Sequence, residues 1–372
     1  MSLPLSKVID AEDFGAPDLA PYLQEIGSIE AARAETAIAS DVPDPRQWQY
    51  AMALRALDQQ QVALPGRLIA GVGAGVEPTI FALARRGAVV LAADRYLDHT
   101  TWSDTSPAGM VIDPAPYSGI DYPPGNVIGV HADALALNLP SNTFHGAFSN
   151  GVFEHLGSLG SVATAAREIG RILRPGGVAS IATEFRVDGP VDRAWFDDAM
   201  MLFTPALIDR YIVQPSGLVL HEPLVIEQSD ATFETRRHLA DFPDSSTSLP
   251  MLDEKRSTSP SLVVYHDGFL FCSVVLTLFK PADSDAAAID AATRTCVARQ
   301  GAALSAALEC FQRAPPPAGE PSGNHLLFGE VERLRADNDA LRTMYDRSNA
   351  WKRWSMMRPA RFVYRRIRRW RG

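Results

Sequence analysis

From Leu68 onward the chain alternates short apolar runs with helical segments, and this alternation limits its fold more than any other feature. "RLIAGV" (67–72) is a predicted strand, "PTIFALARR" (78–86) a helix stopped by Gly87, and "AVVLAAD" (88–94) the next strand. "NVIGVHAD" (126–133) and "FHGAFSN" (144–150) follow as strands, then the helix "VATAAREIGRIL" (162–173) and the strand "VASIATEF" (178–185). Strands separated by helices pair in parallel, because a crossover helix returns the chain to the same edge of the sheet. Two later β-rich runs, "GLVLHEPLVIE" (217–227) and "GFLFCSVVLTLFK" (268–280), are expected to finish the sheet as an antiparallel edge. The predicted class is α/β, with a seven-stranded, mostly parallel sheet, helices on both faces and a C-terminal helical extension.

The rest of the chain divides by composition. Residues 1–60 form a predicted helical lead-in, including a helix over 44–57 with Pro45 near its start. Residues 61–280 are the main domain. An Ala-rich helical segment (281–313), a Pro-rich linker (314–323), an amphipathic or heptad helix (324–350) and a basic aromatic tail (351–372) come after it. The seam Leu327, Val331, Leu334, Asn338, Leu341, Tyr345 suits either a homodimeric coiled coil or a helix packed on its own body.

Net charge is −9, but the last 22 residues hold Lys352 and eight arginines with no acid. The remainder therefore has 26 basic against 44 acidic residues, a body charge of −18. Three cysteines without metal-ligand spacing are expected to be reduced thiols of a cytoplasmic protein, and no metal is expected. The first residues lack the basic start and apolar core of a signal peptide, and the run 268–279 is too short to span a bilayer.

The loop "LIAGVGAGVEP" (68–78) carries Gly71, Gly73 and Gly75. Glycines directly after a strand let the backbone approach a ligand closely. The spacing is G-x-G-x-G, neither the dinucleotide G-x-G-x-x-G nor a phosphate-cradling loop ending in G-K-[ST]. Downstream, Asp94 ends the second strand, where a carboxylate can take both hydroxyls of a ribose, and Asp133 follows the third. "FSNGVFEHLGSL" and "REIGRILRPGGVASIATEF" complete the order.

With these motifs the chain, over about 47–280, resembles the class I S-adenosylmethionine-dependent methyltransferases, a Rossmann-like family. The resemblance implies S-adenosyl-L-methionine as cofactor. It implies that Gly71, Gly73 and Gly75 pass under its methionine end, that Asp94 holds the ribose, that Asp133 with Ala134 meets the adenine, and that the backbone of Asn150 lies near the sulfonium. The family has an acidic residue two positions before the first glycine, where this chain has Ile69. Glu77 is the nearest spare carboxylate; it is either the replacement or a helix-start residue favoured by the helix dipole. The departure at Ile69 also leaves open a cofactor-binding scaffold without activity.

Candidate bases at the ligand edge are Glu184, His155 and Glu154, with His221 and His266 as weaker candidates, and Trp102 is a possible cover for the cofactor. For Glu154 and His155 the alternative is that they pin the loop. The tail interleaves its arginines with Trp351, Trp354, Phe362, Tyr364 and Trp370, which suits an anionic membrane surface on the cytoplasmic side. The acidic body argues against nucleic acid; a solvated basic tail is the remaining reading. Acceptors on this view are a glycan, a lipid-linked glycan precursor or a small lipophilic metabolite.

Overall fold

In the computed structural model the described residues are 2–33, 43–98, 105–188, 200–238, 261–266 and 269–281. All fall in the first of the chain's two compact units, Met1–Arg313. Trp102, the Ala-rich segment from 282, the linker, the heptad helix and the basic tail lie outside them.

Among the described residues the apolar runs become strands of one sheet. They are β1 (Lys7–Val8), β2 (Leu68–Val72), β3 (Val89–Asp94), β4 (Val127–His131) and β5 (Phe144–Asn150). The later ones are β6 (Leu173–Arg186), β7 (Val219–Leu220), β8 (Arg237–His238), β9 (Val263–His266) and β10 (Phe269–Phe279). The order is β4-β3-β2-β5-β6-β10-β9-β8, with β1 and β7 also on β10. From β4 to β6 every pairing is parallel, and β10 lies antiparallel to β6. Because β3 and β5 leave β2 on opposite sides, a crevice opens beyond the carboxyl ends of these strands.

One expected strand is corrected. The run 217–227 is not a continuous edge strand; only Val219–Leu220 pairs with β10. Pro223 has no N–H to give a ladder, and the run breaks around it. The free side of β10 is instead shared by three short segments, β9 at Phe269–Cys272, β1 at Val274–Val275 and β7 at Leu278–Phe279. This subdivision raises the count of described strands above the seven expected.

Helices cover the sheet. They are α1 (Ala20–Arg33), α2 (Pro45–Gln59), α3 (Pro78–Arg85), the single turn α4 (Gly109–Ile112) and α5 (Leu159–Ile172). Asp44 caps α2 by accepting from the backbone N–H groups of Arg46 and Gln47, and Ser158 caps α5 through Ser161 N–H. On α5 the stripe Val162, Ala165, Ala166, Ile169, Ile172 is fully buried. Each such Val or Ile stabilises by roughly 1.5–3 kcal/mol.

The N-terminal segment is part of the same core. Val8, Ile9, Trp48, Met52 and Leu54 are fully buried, and α2 packs on β6 and β10. Lys7 on β1 forms an ion pair with Asp13, both nearly inaccessible. The second oxygen of Asp13 accepts from Trp48 Nε1 at 2.9 Å and from Asp10 N–H at 3.0 Å. Among the described residues no helix is long and apolar enough to cross a membrane. None of their His, Cys, Asp and Glu side chains form a group of three able to hold a metal ion.

Candidate active site

The glycine turn leaves β2 at Val72 and enters α3 at Pro78. Gly73 and Gly75 have φ of 66° and 48°, the left-handed region that a side chain strains. The turn is stitched to the end of β3. Gly73 N–H donates to Ala93 O at 2.8 Å, Gly75 N–H to Asp94 Oδ2 at 2.7 Å, and Tyr96 O–H to Gly75 O at 2.6 Å. The other Asp94 oxygen accepts from Arg95 N–H at 2.6 Å. Each carboxylate oxygen keeps a further lone pair, so the pair can still accept from two neighbouring hydroxyls.

Asp133 and Ala134 follow β4 next to the end of β3, where Ala132 N–H donates to the Asp94 backbone carbonyl at 2.9 Å. The exposed Asp133 side chain accepts from Leu135 N–H at 2.9 Å and shapes its own loop.

Glu77 occupies the N-cap position of α3 but makes no side-chain cap hydrogen bond. It turns instead toward the end of β5, where Asn150 Nδ2 donates to its Oε1 at 2.9 Å. Burial pushes its carboxyl well above the usual carboxylate range, while the Asn150 hydrogen bond and the Arg46 and Arg33 charges pull the other way. Asn150 Oδ1 is buried and has no hydrogen-bond partner. Ile69 is fully buried inside β2, opposite Val90 and Gly146. The carboxylate that meets Asn150 therefore comes from the N-cap of α3, not from β2.

The first turn of α2 reaches over this edge. Arg46 donates to Gln49 Oε1 at 3.2 Å, and its guanidinium lies against Gly151, the residue after Asn150. Gly151 has φ of 67°, and a methyl group there would overlap the guanidinium. Burial works to lower the Arg46 pKa, but the surrounding Tyr50, Glu154, Glu184 and Asp44 outweigh it and leave the guanidinium's pKa raised. Burial raises the Tyr50 hydroxyl, which Arg46 opposes.

Of the three candidate bases, Glu154 is almost wholly buried and accepts from Thr183 Oγ1 at 2.8 Å. Glu184, near the carboxyl end of β6, is half-buried and accepts from Gln49 Nε2 at 3.5 Å and Ser273 Oγ at 3.4 Å. His155, in the short helical turn Phe153–His155, is also half-exposed. His221 lies at the opposite edge of the sheet, beside Gln60 and the ring of Phe279, and takes no part in this site. The His266 side chain lies outside the described residues.

The fold thus brings Gly75 to Asp94, Glu77 to Asn150, and Glu154 and Glu184 to one cation. Sequence reasoning missed Arg46, Gln49 and the Asn150 side chain. One signal was available: an arginine in the first turn of a helix opposes the helix dipole and asks for another reason to be there.

A buried oxygen on Asn150 without a donor, a carboxylate beside it and a glycine turn with no room for side chains suit a ligand group that carries N–H donors. Residues 70–181 match the family model of a methyltransferase domain. No curated protein matches the chain. Among solved structures, one similar chain belongs to the complex between the Haloferax volcanii Trm112 methyltransferase activator and a methyltransferase. It is 18% identical, covers 64% of this chain and 90% of that one, and has a TM-score of 0.39. The geranyl diphosphate C-methyltransferase of Streptomyces coelicolor A3(2), with Mg2+, geranyl diphosphate and S-adenosyl-L-homocysteine, is 12% identical over 70% of this chain and 98% of that one, with a TM-score of 0.36. The [4+2]-cyclase SpnF is 18% identical over 76% and 99%, with a TM-score of 0.40.

Proposed function

We propose that this chain, whose residues 70–181 match a methyltransferase domain, is an S-adenosylmethionine-dependent enzyme that O-methylates a glycan or lipid-linked glycan precursor presented over Glu184. The observation behind the site assignment is the pairing of a buried Glu77 with an Asn150 whose Oδ1 has no partner, directly beside the glycine turn. Bound S-adenosylmethionine would supply an electrophilic methyl group, which an acceptor oxygen would take as the S–CH3 bond breaks and the neutral thioether leaves.

The chain's own residues hold and orient. Gly71, Gly73 and Gly75 give the close backbone approach, and Asp94 accepts the ribose hydroxyls. Asp133 and Ala134 flank the adenine. Glu77 and Asn150 take the ammonium. Orientation of this kind can remove roughly 7–11 kcal/mol of barrier. Glu184 is the base that takes a proton from an acceptor hydroxyl, because it is the half-buried carboxylate of the pair. Glu154 stays on Thr183 and serves to fix the turn that ends in His155. Replacing Glu184 by Gln lowers kcat by roughly 10²–10⁴-fold and leaves cofactor affinity within a factor of three. Unchanged kcat returns Glu184 to a structural role.

The acceptor class rests on the tail alone, whose arginines and aromatics suit a surface of anionic lipid, at the inner face of the membrane, where lipid-linked precursors are displayed. The test is incubation of the full chain with methyl-labelled cofactor and cell fractions. Label in polysaccharide or its lipid-linked precursor supports the reading. Label in small lipophilic molecules or in protein overturns the glycan part, and cofactor binding without any transfer overturns the enzymatic part. Deleting 351–372 is expected to release the protein from anionic vesicles.

A further inference from the structure

Within its own helix the Arg46 guanidinium donates to Gln49 Oε1. Positive charge in the first turn of a helix is unfavourable, and Asp44 caps α2 through backbone N–H groups, with no use for the Arg46 side chain. Yet the chain accommodates it at a distant point, because Gly151 has no side chain in the way of the guanidinium. The neighbour of Gly151 in sequence is Asn150, whose Oδ1 is buried without a partner and whose Nδ2 is spent on Glu77. The end of β5 therefore sets a hydrogen-bond acceptor with a carboxylate and a guanidinium donor one residue apart.

An α-amino acid needs that juxtaposition, since its ammonium and carboxylate share one carbon. We infer that Arg46 binds the carboxylate of the cofactor's amino-acid end, opposite Glu77 and Asn150, which bind its ammonium. The inference rests on the cofactor reading above and extends it to a residue outside the matched segment 70–181. Among the groups that face the guanidinium are the carboxylates of Glu154, Glu184 and Asp44.

The test uses the full chain and calorimetric titration with three probes: S-adenosylmethionine, its decarboxylated analogue and 5′-methylthioadenosine. The variants are Arg46→Met and Arg46→Lys, with Glu77→Gln as a contrast. Arg46→Met is expected to weaken S-adenosylmethionine roughly ten- to hundredfold, the range of a charge-assisted hydrogen bond. The same change leaves the decarboxylated analogue and 5′-methylthioadenosine within threefold, and Arg46→Lys restores part of the loss. Glu77→Gln weakens both amine-bearing probes and spares 5′-methylthioadenosine. Equal losses for all three probes in Arg46→Met mean that α2 has merely shifted and overturn the inference, as does no loss at all. If the unaltered chain binds none of the probes, the cofactor reading itself fails and the inference falls with it.

Discussion

Glu77 concentrates the electrostatics of the site in one side chain. Its carboxyl is raised by burial, so between the ordinary carboxylate range and its raised pKa the folded protein binds a proton that the unfolded chain has released. Stability from this group is greatest below about pH 4.5 and declines as pH rises through the raised pKa. Binding an ammonium beside it reverses the preference and expels the proton. Cofactor affinity is therefore expected to increase with pH across that window, with proton release visible as a dependence of binding enthalpy on the buffer's ionisation heat. Glu77→Gln abolishes both the release and the pH dependence, and raises Kd at pH 8 roughly ten- to hundredfold. A Gln variant with the same pH profile as the parent makes Glu77 a plain helix start.

At this scale the sequence was partly legible. Glycine spacing and the positions of Asp94 and Asp133 put those residues at the crevice, because strand ends are set by local pattern. Arg46 was illegible since its contact with Gly151 is made by two segments far apart in the chain. Ile69 left two readings of Glu77 open, a replacement carboxylate or a plain helix start; in the fold its side chain meets Asn150 and makes no cap hydrogen bond.

At the scale of elements, the packing of α5 makes a sharp case. Gly170 stands inside the helix, where alanine has the better intrinsic propensity by about 0.5–1 kcal/mol. A methyl group there would strike the backbone carbonyl of Ser216, in the short turn Gln214–Ser216. That collision is with main chain, which cannot rotate away, and overpacking of this kind costs about 1–3 kcal/mol. Gly170→Ala is expected to lower stability by about 1–2 kcal/mol, read from the urea midpoint at constant slope; an increase would show that the turn yields. The helices α2, α3 and α5 follow their periodicity and caps to within a few residues. The edge of β10 did not, because three segments from different parts of the chain compete for one strand's hydrogen bonds. No local pattern records which of them wins.

Across the described molecule, the pair Lys7–Asp13 fastens β1 to α2 through Trp48. Burial raises the Asp13 carboxyl although Lys7 pulls it down. Removing the lysine alone strands a buried carboxylate, so Lys7→Met is expected to cost about 3–5 kcal/mol at pH 8. The cost shrinks as the pH is lowered toward 4.5, because burial raises this carboxyl and loss of the lysine raises it further. Pairing it with Asp13→Asn recovers part of the loss at pH 8. Denaturant unfolding at both pH values checks this; a pH-independent loss would mean that the lysine's packing, not its charge, matters.

The place of β1 on β10 also has a temporal side. Lys7 lies opposite Val275, so the first strand made waits for the last described one before its ladder can close. At a synthesis rate of about 5–20 residues per second, that wait is on the order of tens of seconds. During it the apolar pair Val8–Ile9, fully buried in the folded protein, has no sheet to enter.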